Sequence, residues 1–254
     1  MLKKQKYLIA FFLLFIFPQV LHSNELSRLS EKESELNDLN LLIKKYILEN
    51  PEIIIEAIEI YQKKQNSKTL TKEKKLIKSL NSEIFDDKNS YYYGDKNSKI
   101  TIVEFVDYNC GYCKRNHNII MQFIENNNNV KYIVKELPIL GERSLLASKV
   151  AILIYLTDGS EVYKKFFDLL MTYKNQLNFE ILKLFATKAG STIKDFDNQI
   201  NLKKVNSVIV NNISLAKKLS INGTPTFIIG NTIIRGFISF EELQEIIDNL
   251  RKKQ

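Results

Sequence analysis

Ile100-Thr101-Ile102-Val103-Glu104-Phe105-Val106-Asp107-Tyr108-Asn109-Cys110-Gly111-Tyr112-Cys113-Lys114 is the stretch on which the fold reading turns. Its first seven residues are β-branched or aromatic apart from one acid, Glu104, which is the composition of a buried strand. Asp107 to Asn109 supply a turn, and a helix is predicted from about Cys110 to Asn126. The two cysteines of the chain therefore stand three apart, where a strand hands over to a helix. A thiol at a helix N-terminus meets unpaired backbone N–H groups and the positive end of the dipole, and both favour the thiolate. Cys110 is the candidate nucleophile and leaving group, and Cys113, one turn further in, is the candidate resolving thiol. Gly111 and Tyr112 contribute the intervening N–H groups and set the local shape.

Downstream, Val130 to Leu137 reads as a second strand ending at Pro138. Glu142 to about Ile200 reads as several helices, and Ser207 to Leu219 as another. Thr226–Ile229 and Thr232–Arg235 are short strands joined by the turn signal Gly230-Asn231. Ser239 with Glu242 three residues later is a capping box that opens a last helix. Right-handed crossovers make the first two strands parallel, with the terminal hairpin adding antiparallel strands.

Upstream, Lys3, Lys4 and Lys6 precede an apolar run from Tyr7 to Phe17, broken by Pro18. Eleven residues rise only about 16 Å as a helix, short of a hydrocarbon core about 30 Å thick. The expectation is a cleaved secretory signal over 1–23 rather than an anchor. Its removal takes three lysines and no acid, lowering the formal charge from +8 to +5. Charges of both signs are mixed along the remainder, which gives nucleic-acid binding no support.

Residues 24–85 read as helices. Leu36, Leu39, Leu42, Ile43, Tyr46 and Ile47 recur at three- and four-residue spacings. Asn50-Pro51 is expected to cap a second helix, and a third is expected over about Lys72 to Phe85. These helices carry little apolar mass. They are expected to pack on the following domain or on copies of themselves. Asp86 to Ser98 reads as a polar, turn-rich boundary.

Two other uses of the cysteines are weaker. A structural zinc site takes four ligands, and beyond the signal only Cys110, Cys113 and His117 are on offer. An inert disulfide closing so short a loop adds little stability.

The run Val103 to Lys114, with Lys135-Glu136-Leu137-Pro138-Ile139-Leu140-Gly141 and Gly223-Thr224-Pro225-Thr226-Phe227, resembles the DsbA-like thiol–disulfide oxidoreductases of the bacterial envelope. The resemblance covers roughly residues 90–254. It implies an α/β protein, a thioredoxin fold with a helical subdomain inserted at about 142–200; the signal peptide and the N-terminal helical segment read above precede it. It implies a cis bond before Pro225, with Thr224 presenting backbone groups to a substrate peptide beside Cys110. It implies that Glu104 is the acid buried beneath the cysteines.

Function follows from the same resemblance: disulfide formation in exported proteins through Cys110–Cys113, in the periplasm, with no cofactor. The implied partners are reduced or misoxidised exported proteins and a membrane redox protein, either a DsbB-like oxidase or a reductase. Gly-Tyr between the cysteines and Thr before Pro225 depart from the best-known oxidases of the family. That leaves open a disulfide isomerase or reductase, or a client-binding chaperone-like protein with secondary redox activity. Family members with an N-terminal helical segment oligomerise, so a homo-oligomer through residues 24–85 is a further expectation.

Overall fold

The computed structural model describes residues 28–127 and 129–252. The expected signal over 1–23 lies outside them. The described residues fall into two compact units that divide between Ser67 and Lys68.

The first unit contains helix α1 (28–49) and the greater part of α2 (Glu52–Ser79). Asn50 and Pro51 separate the two. Here the structure corrects the sequence reading, because Asn50 closes α1 instead of capping α2. Its backbone N–H and its side-chain amide both donate to the Tyr46 carbonyl, at 3.0 and 2.8 Å, within the last turn of α1. The expected second and third helices are also one, since nothing between Glu52 and Ser79 breaks the helix. Only the last turns of α2 are buried, at Glu73 and Ile77.

The second unit is built on a five-stranded sheet. Its elements are α3 (Asn81–Phe85), β1 (Tyr92–Gly94), β2 (Ile100–Val106), α4 (Gly111–Glu125), β3 (Val130–Glu136), α5 (Glu142–Asp158), α6 (Ser160–Thr172), α7 (Phe179–Ala189), α8 (Phe196–Gln199), α9 (Lys203–Lys218), β4 (Thr226–Ile229), β5 (Thr232–Arg235) and α10 (Phe240–Arg251). The strand order is β1-β3-β2-β4-β5. Strands β2 and β3 are parallel from Ile100↔Val130 to Val106↔Glu136, and the other pairings are antiparallel. Strand β1 falls in the stretch read as a turn-rich boundary. Its three residues carry no alternating pattern to reveal it, and it exists only by pairing with β3.

The alternation of side chains along β2 assigns the two faces of the sheet. Ile102 and Val106 point into the larger core, with Ile120 and Phe123 of α4, Leu243 and Ile247 of α10, and the inserted helices α5 to α7. Val103 and Phe105 point into a smaller core made with Leu215 and Leu219 near the end of α9 and with Ile77 and Ile84. Ile77 and Ile84 are essentially inaccessible, and burial of each contributes about 1.5–3 kcal/mol. Ion pairs rim this second face: Arg235–Glu73 at 2.9 Å, Lys218–Glu83 at 2.7 Å and the buried Lys135–Asp87 at 2.7 Å. The Ser239–Glu242 capping box forms and starts α10.

Candidate active site

The C-terminal end of β2 runs into the turn 107–109, and Cys110 is the N-cap residue of α4. The Cys110 amide donates to the Asp107 carbonyl at 3.0 Å, which closes the turn. Both cysteines are free thiols. Cys110 retains 7% exposure and Cys113 none, so only Cys110 is open to a partner. Tyr112 stands out from the surface beneath the Arg115 guanidinium, which lies 4.1 Å from the ring centroid. A side chain at Gly111 would meet open space, so the surface beside Cys110 is unobstructed there.

Thr224 and Pro225 lie immediately before β4, which pairs antiparallel with β2 at Phe105↔Thr226. That register brings the 224–225 segment up against the cysteine turn. The Thr224–Pro225 peptide bond is cis. The Thr224 carbonyl accepts from the Cys110 thiol at 3.0 Å, and the Pro225 carbonyl accepts from the Gly236 amide at 2.9 Å.

The two thiols are driven apart in acidity. Cys110 is pulled down to about 5, chiefly by the Cys113 thiol as hydrogen-bond donor. The Thr224 side chain and the N–H groups of Cys113 and Tyr112 add to this against the cost of burial, whereas the Thr224 carbonyl can accept only from the protonated thiol. Cys110 is thus almost wholly thiolate at neutral pH. Cys113 is pushed far up by burial, then by its bond to Cys110 and by the negative charge of Glu104. One sulfur is charged and accessible; the other is protonated and enclosed.

Glu104 lies on the central strand, 2% exposed, on the face that carries α4. Burial pushes its carboxyl up to about 8, and the hydrogen bond from the Tyr132 hydroxyl at 2.5 Å works in the opposite sense. A carboxyl with such a value beside a thiol of raised pKa is able to take up and return a proton near neutral pH.

The structure thus brings Cys110, Cys113, Gly111, Tyr112, Glu104, Thr224 and Pro225 to one end of the sheet. His117 is directed elsewhere. It packs edge-on against Phe167, with Nε2 3.1 Å from Asp168 of α6. Sequence reasoning passed over Tyr132, which bonds to Glu104, and Asp107. The Asp107 carboxylate accepts from the amides of Ile139 and Leu140 at 2.9 Å and from the Ser144 hydroxyl at 2.7 Å. Each of these contacts crosses from the β2 side to the β3 side, and residue spacing along one strand carries no sign of it. No group of side chains suited to a metal ion occurs among the described residues.

A thioredoxin family model matches residues 86–249, and a model of the copper resistance protein ScsC N-terminal domain matches residues 39–67. Among solved structures, the thiol–disulfide exchange protein α-DsbA2 from Wolbachia pipientis is 33% identical, with 71% of this chain and 97% of that chain covered and a TM-score of 0.67. A linker-deletion and N6K mutant of ScsC from Proteus mirabilis is 28% identical over 86% of this chain and 95% of its own, with a TM-score of 0.66. A periplasmic thioredoxin-like protein from Salmonella enterica serovar Typhimurium is 29% identical over 67% and 94%, with a TM-score of 0.62. Among curated proteins, a Na(+)/H(+) antiporter NhaA 3 of Salinispora tropica is 21% identical over 154 residues, 61% of this chain. The chain spans about a quarter of the length of the curated relatives it matches. The matched region contains the whole cysteine site described above, and the chain belongs to the thioredoxin family, with the ScsC and DsbA-like thiol–disulfide oxidoreductases as its structural relatives.

Proposed function

We propose that this protein exchanges disulfides with reduced or misoxidised exported proteins in the periplasm, donating the Cys110–Cys113 bond. The observation that carries the reading is the split between the two thiols, one held as an accessible thiolate and the other protonated above a buried acid. A substrate thiolate attacks Cys110 Sγ of the oxidised protein. The Cys110–Cys113 bond breaks, a mixed disulfide forms, and Cys113 leaves as a thiolate that takes its proton from Glu104. A second substrate thiolate attacks the substrate's own sulfur and expels Cys110, itself a good leaving group because its thiolate is stabilised. The substrate ends oxidised by two electrons and the protein reduced. A membrane redox protein of the DsbB-like oxidase class then restores the bond.

The same thiolate supports isomerisation when a reductase keeps the pair reduced. Cys110 then attacks a wrong disulfide to form a mixed disulfide; a second client thiolate expels Cys110 and completes the rearrangement, or Cys113, deprotonated by Glu104, releases the client reduced and leaves a Cys110–Cys113 disulfide for the reductase. Thr224 before Pro225 favours this second direction by its resemblance to the isomerases.

Leu36, Leu39, Ile43 and Tyr46 of α1 follow a three–four spacing and are all about half exposed. Such a seam fits the matching seam of another helix. We infer that the seam associates with copies of itself.

Three outcomes are expected. Alkylation of the reduced protein by iodoacetamide should be half-maximal near pH 5 and modify Cys110 alone; a midpoint near the free-thiol value of about 8.5 would contradict the split. Release of a mixed disulfide by Cys113 should accelerate as pH rises through about 8 in the wild type. Glu104→Gln should remove that inflection and slow release roughly tenfold or more, with Cys110 alkylation retained. An unchanged profile would take Glu104 out of the mechanism. Sedimentation of the full chain should show an oligomer that Leu39→Asp with Ile43→Asp converts to monomer, and a monomeric wild type would end the assembly proposal.

A further inference from the structure

A second buried carboxyl lies on the face of the sheet that carries Glu104, and the exchange chemistry does not use it. Glu136 ends β3, is 3% exposed, and is the register partner of Val106, the last residue of β2. No cation faces it. Its Oε1 accepts from the Tyr108 hydroxyl at 2.6 Å and from the Tyr163 hydroxyl at 2.6 Å, and its Oε2 accepts from the Ser148 hydroxyl at 2.8 Å. Its backbone carbonyl accepts from the buried Asn212 amide of α9 at 3.1 Å. Three separate segments meet at this one side chain: the cysteine turn through Tyr108, α5 through Ser148 and α6 through Tyr163.

Asp107 makes the reciprocal contact. It sits in the cysteine turn and holds the segment that follows β3 through Ile139, Leu140 and Ser144. The ends of two parallel strands are thus clasped twice, once from each side. The Leu137 amide donates to the Val106 carbonyl at 2.8 Å between the two clasps. Asp107 and Tyr108 are three and two residues before Cys110, so what holds them holds the first turn of α4.

We propose that Glu136 is a positioning residue of the thiol site, fixing through Tyr108 the turn that carries Cys110 and tying that turn to the inserted helices α5 and α6. The inference rests on Cys110 being the exchanging thiol. The thiolate there depends on donors placed within hydrogen-bond distance, and charge-assisted bonds weaken steeply when they are misaligned. Each of the three hydroxyls around Glu136 can turn to accept as well as donate. The clasp therefore survives protonation of the carboxyl, which burial pushes up to about 7. A glutamine in its place can accept from both tyrosines and donate to Ser148.

The test is the ionisation of Cys110 in the full reduced protein, followed by the ultraviolet absorbance of its thiolate. Glu136→Ala is expected to weaken ionisation three- to tenfold, a rise of about half to one pKa unit. Glu136→Gln is expected to stay within twofold of the wild type. Asp158→Asn is the control for general loosening: that carboxylate binds Ser191 and Thr192 within the insertion, away from the cysteine turn. It should leave Cys110 unmoved. If Glu136→Ala does not fold, Tyr108→Phe decides, with a smaller shift in the same direction expected. An ionisation constant unchanged in the decisive variant would overturn the inference. So would an equal shift in Asp158→Asn or in Glu136→Gln. A wild-type Cys110 that ionises like a free thiol would instead remove the exchange reading itself, so the two failures are distinguishable.

Discussion

Strand β2 is paired on both edges and covered on both faces, and the site depends on that constraint. Its parallel register with β3 runs the whole length from Ile100↔Val130 to Val106↔Glu136, so the two strands end together. Its antiparallel register with β4 at Phe105↔Thr226 sends the chain before β4 past the same end. Ligand and reaction sites collect at the carboxyl ends of parallel strands because the loops there are free to vary while the sheet holds them still. In this protein, the turn after β2 carries the thiols, the segment before β4 brings the Thr224 carbonyl to 3.0 Å from Cys110, and the loop after β3 is clasped by Asp107. A one-residue slip of β2 would turn Glu104 away from the cysteines and Val103 towards them.

From that geometry the chemistry follows by electrostatics. A thiolate is stabilised where donors converge and destabilised where apolar surface closes over it. Cys110 receives the Cys113 thiol and two backbone N–H groups, whereas Cys113 receives burial and a nearby carboxylate. The low value at Cys110 stabilises the reduced folded protein over its unfolded chain. The sign follows from the depression: this stability is present above the unfolded thiol value and is lost as pH falls through about 5. A favoured reduced form makes the oxidised form a disulfide donor. The helical insertion is more than decoration, since Tyr163 and Ser148 meet the cysteine turn at Glu136.

Much of this was legible in the residues. The β-branched run around Glu104, the strand-to-helix position of Cys110 and the Ser239–Glu242 pair each follow local rules that tertiary structure did not override. Composition, crossover handedness and the Gly230-Asn231 turn signal also located the parallel strands and the hairpin. What escaped was either non-local or too short to carry a pattern. Strand β1 is a three-residue edge that owes its existence to β3. Asn50 fits the cap of one helix as well as the close of another, and the choice lay with the Tyr46 carbonyl. Tyr132, Asp107 and Glu136 look like ordinary strand and turn residues until the parallel register places them beside Glu104, Leu140 and Tyr108. The His117 ring shares a helix with both cysteines, yet it turns to Asp168 and Phe167.

Under the proposed function, holding the two thiols unequal is what makes the Cys110–Cys113 disulfide easy to give up. The most direct test is the reduction potential of Cys110–Cys113 by equilibration with glutathione. A value well above the thioredoxin potential of about −270 mV is expected. A value below about −300 mV, the range of structural disulfides, would contradict the proposed function.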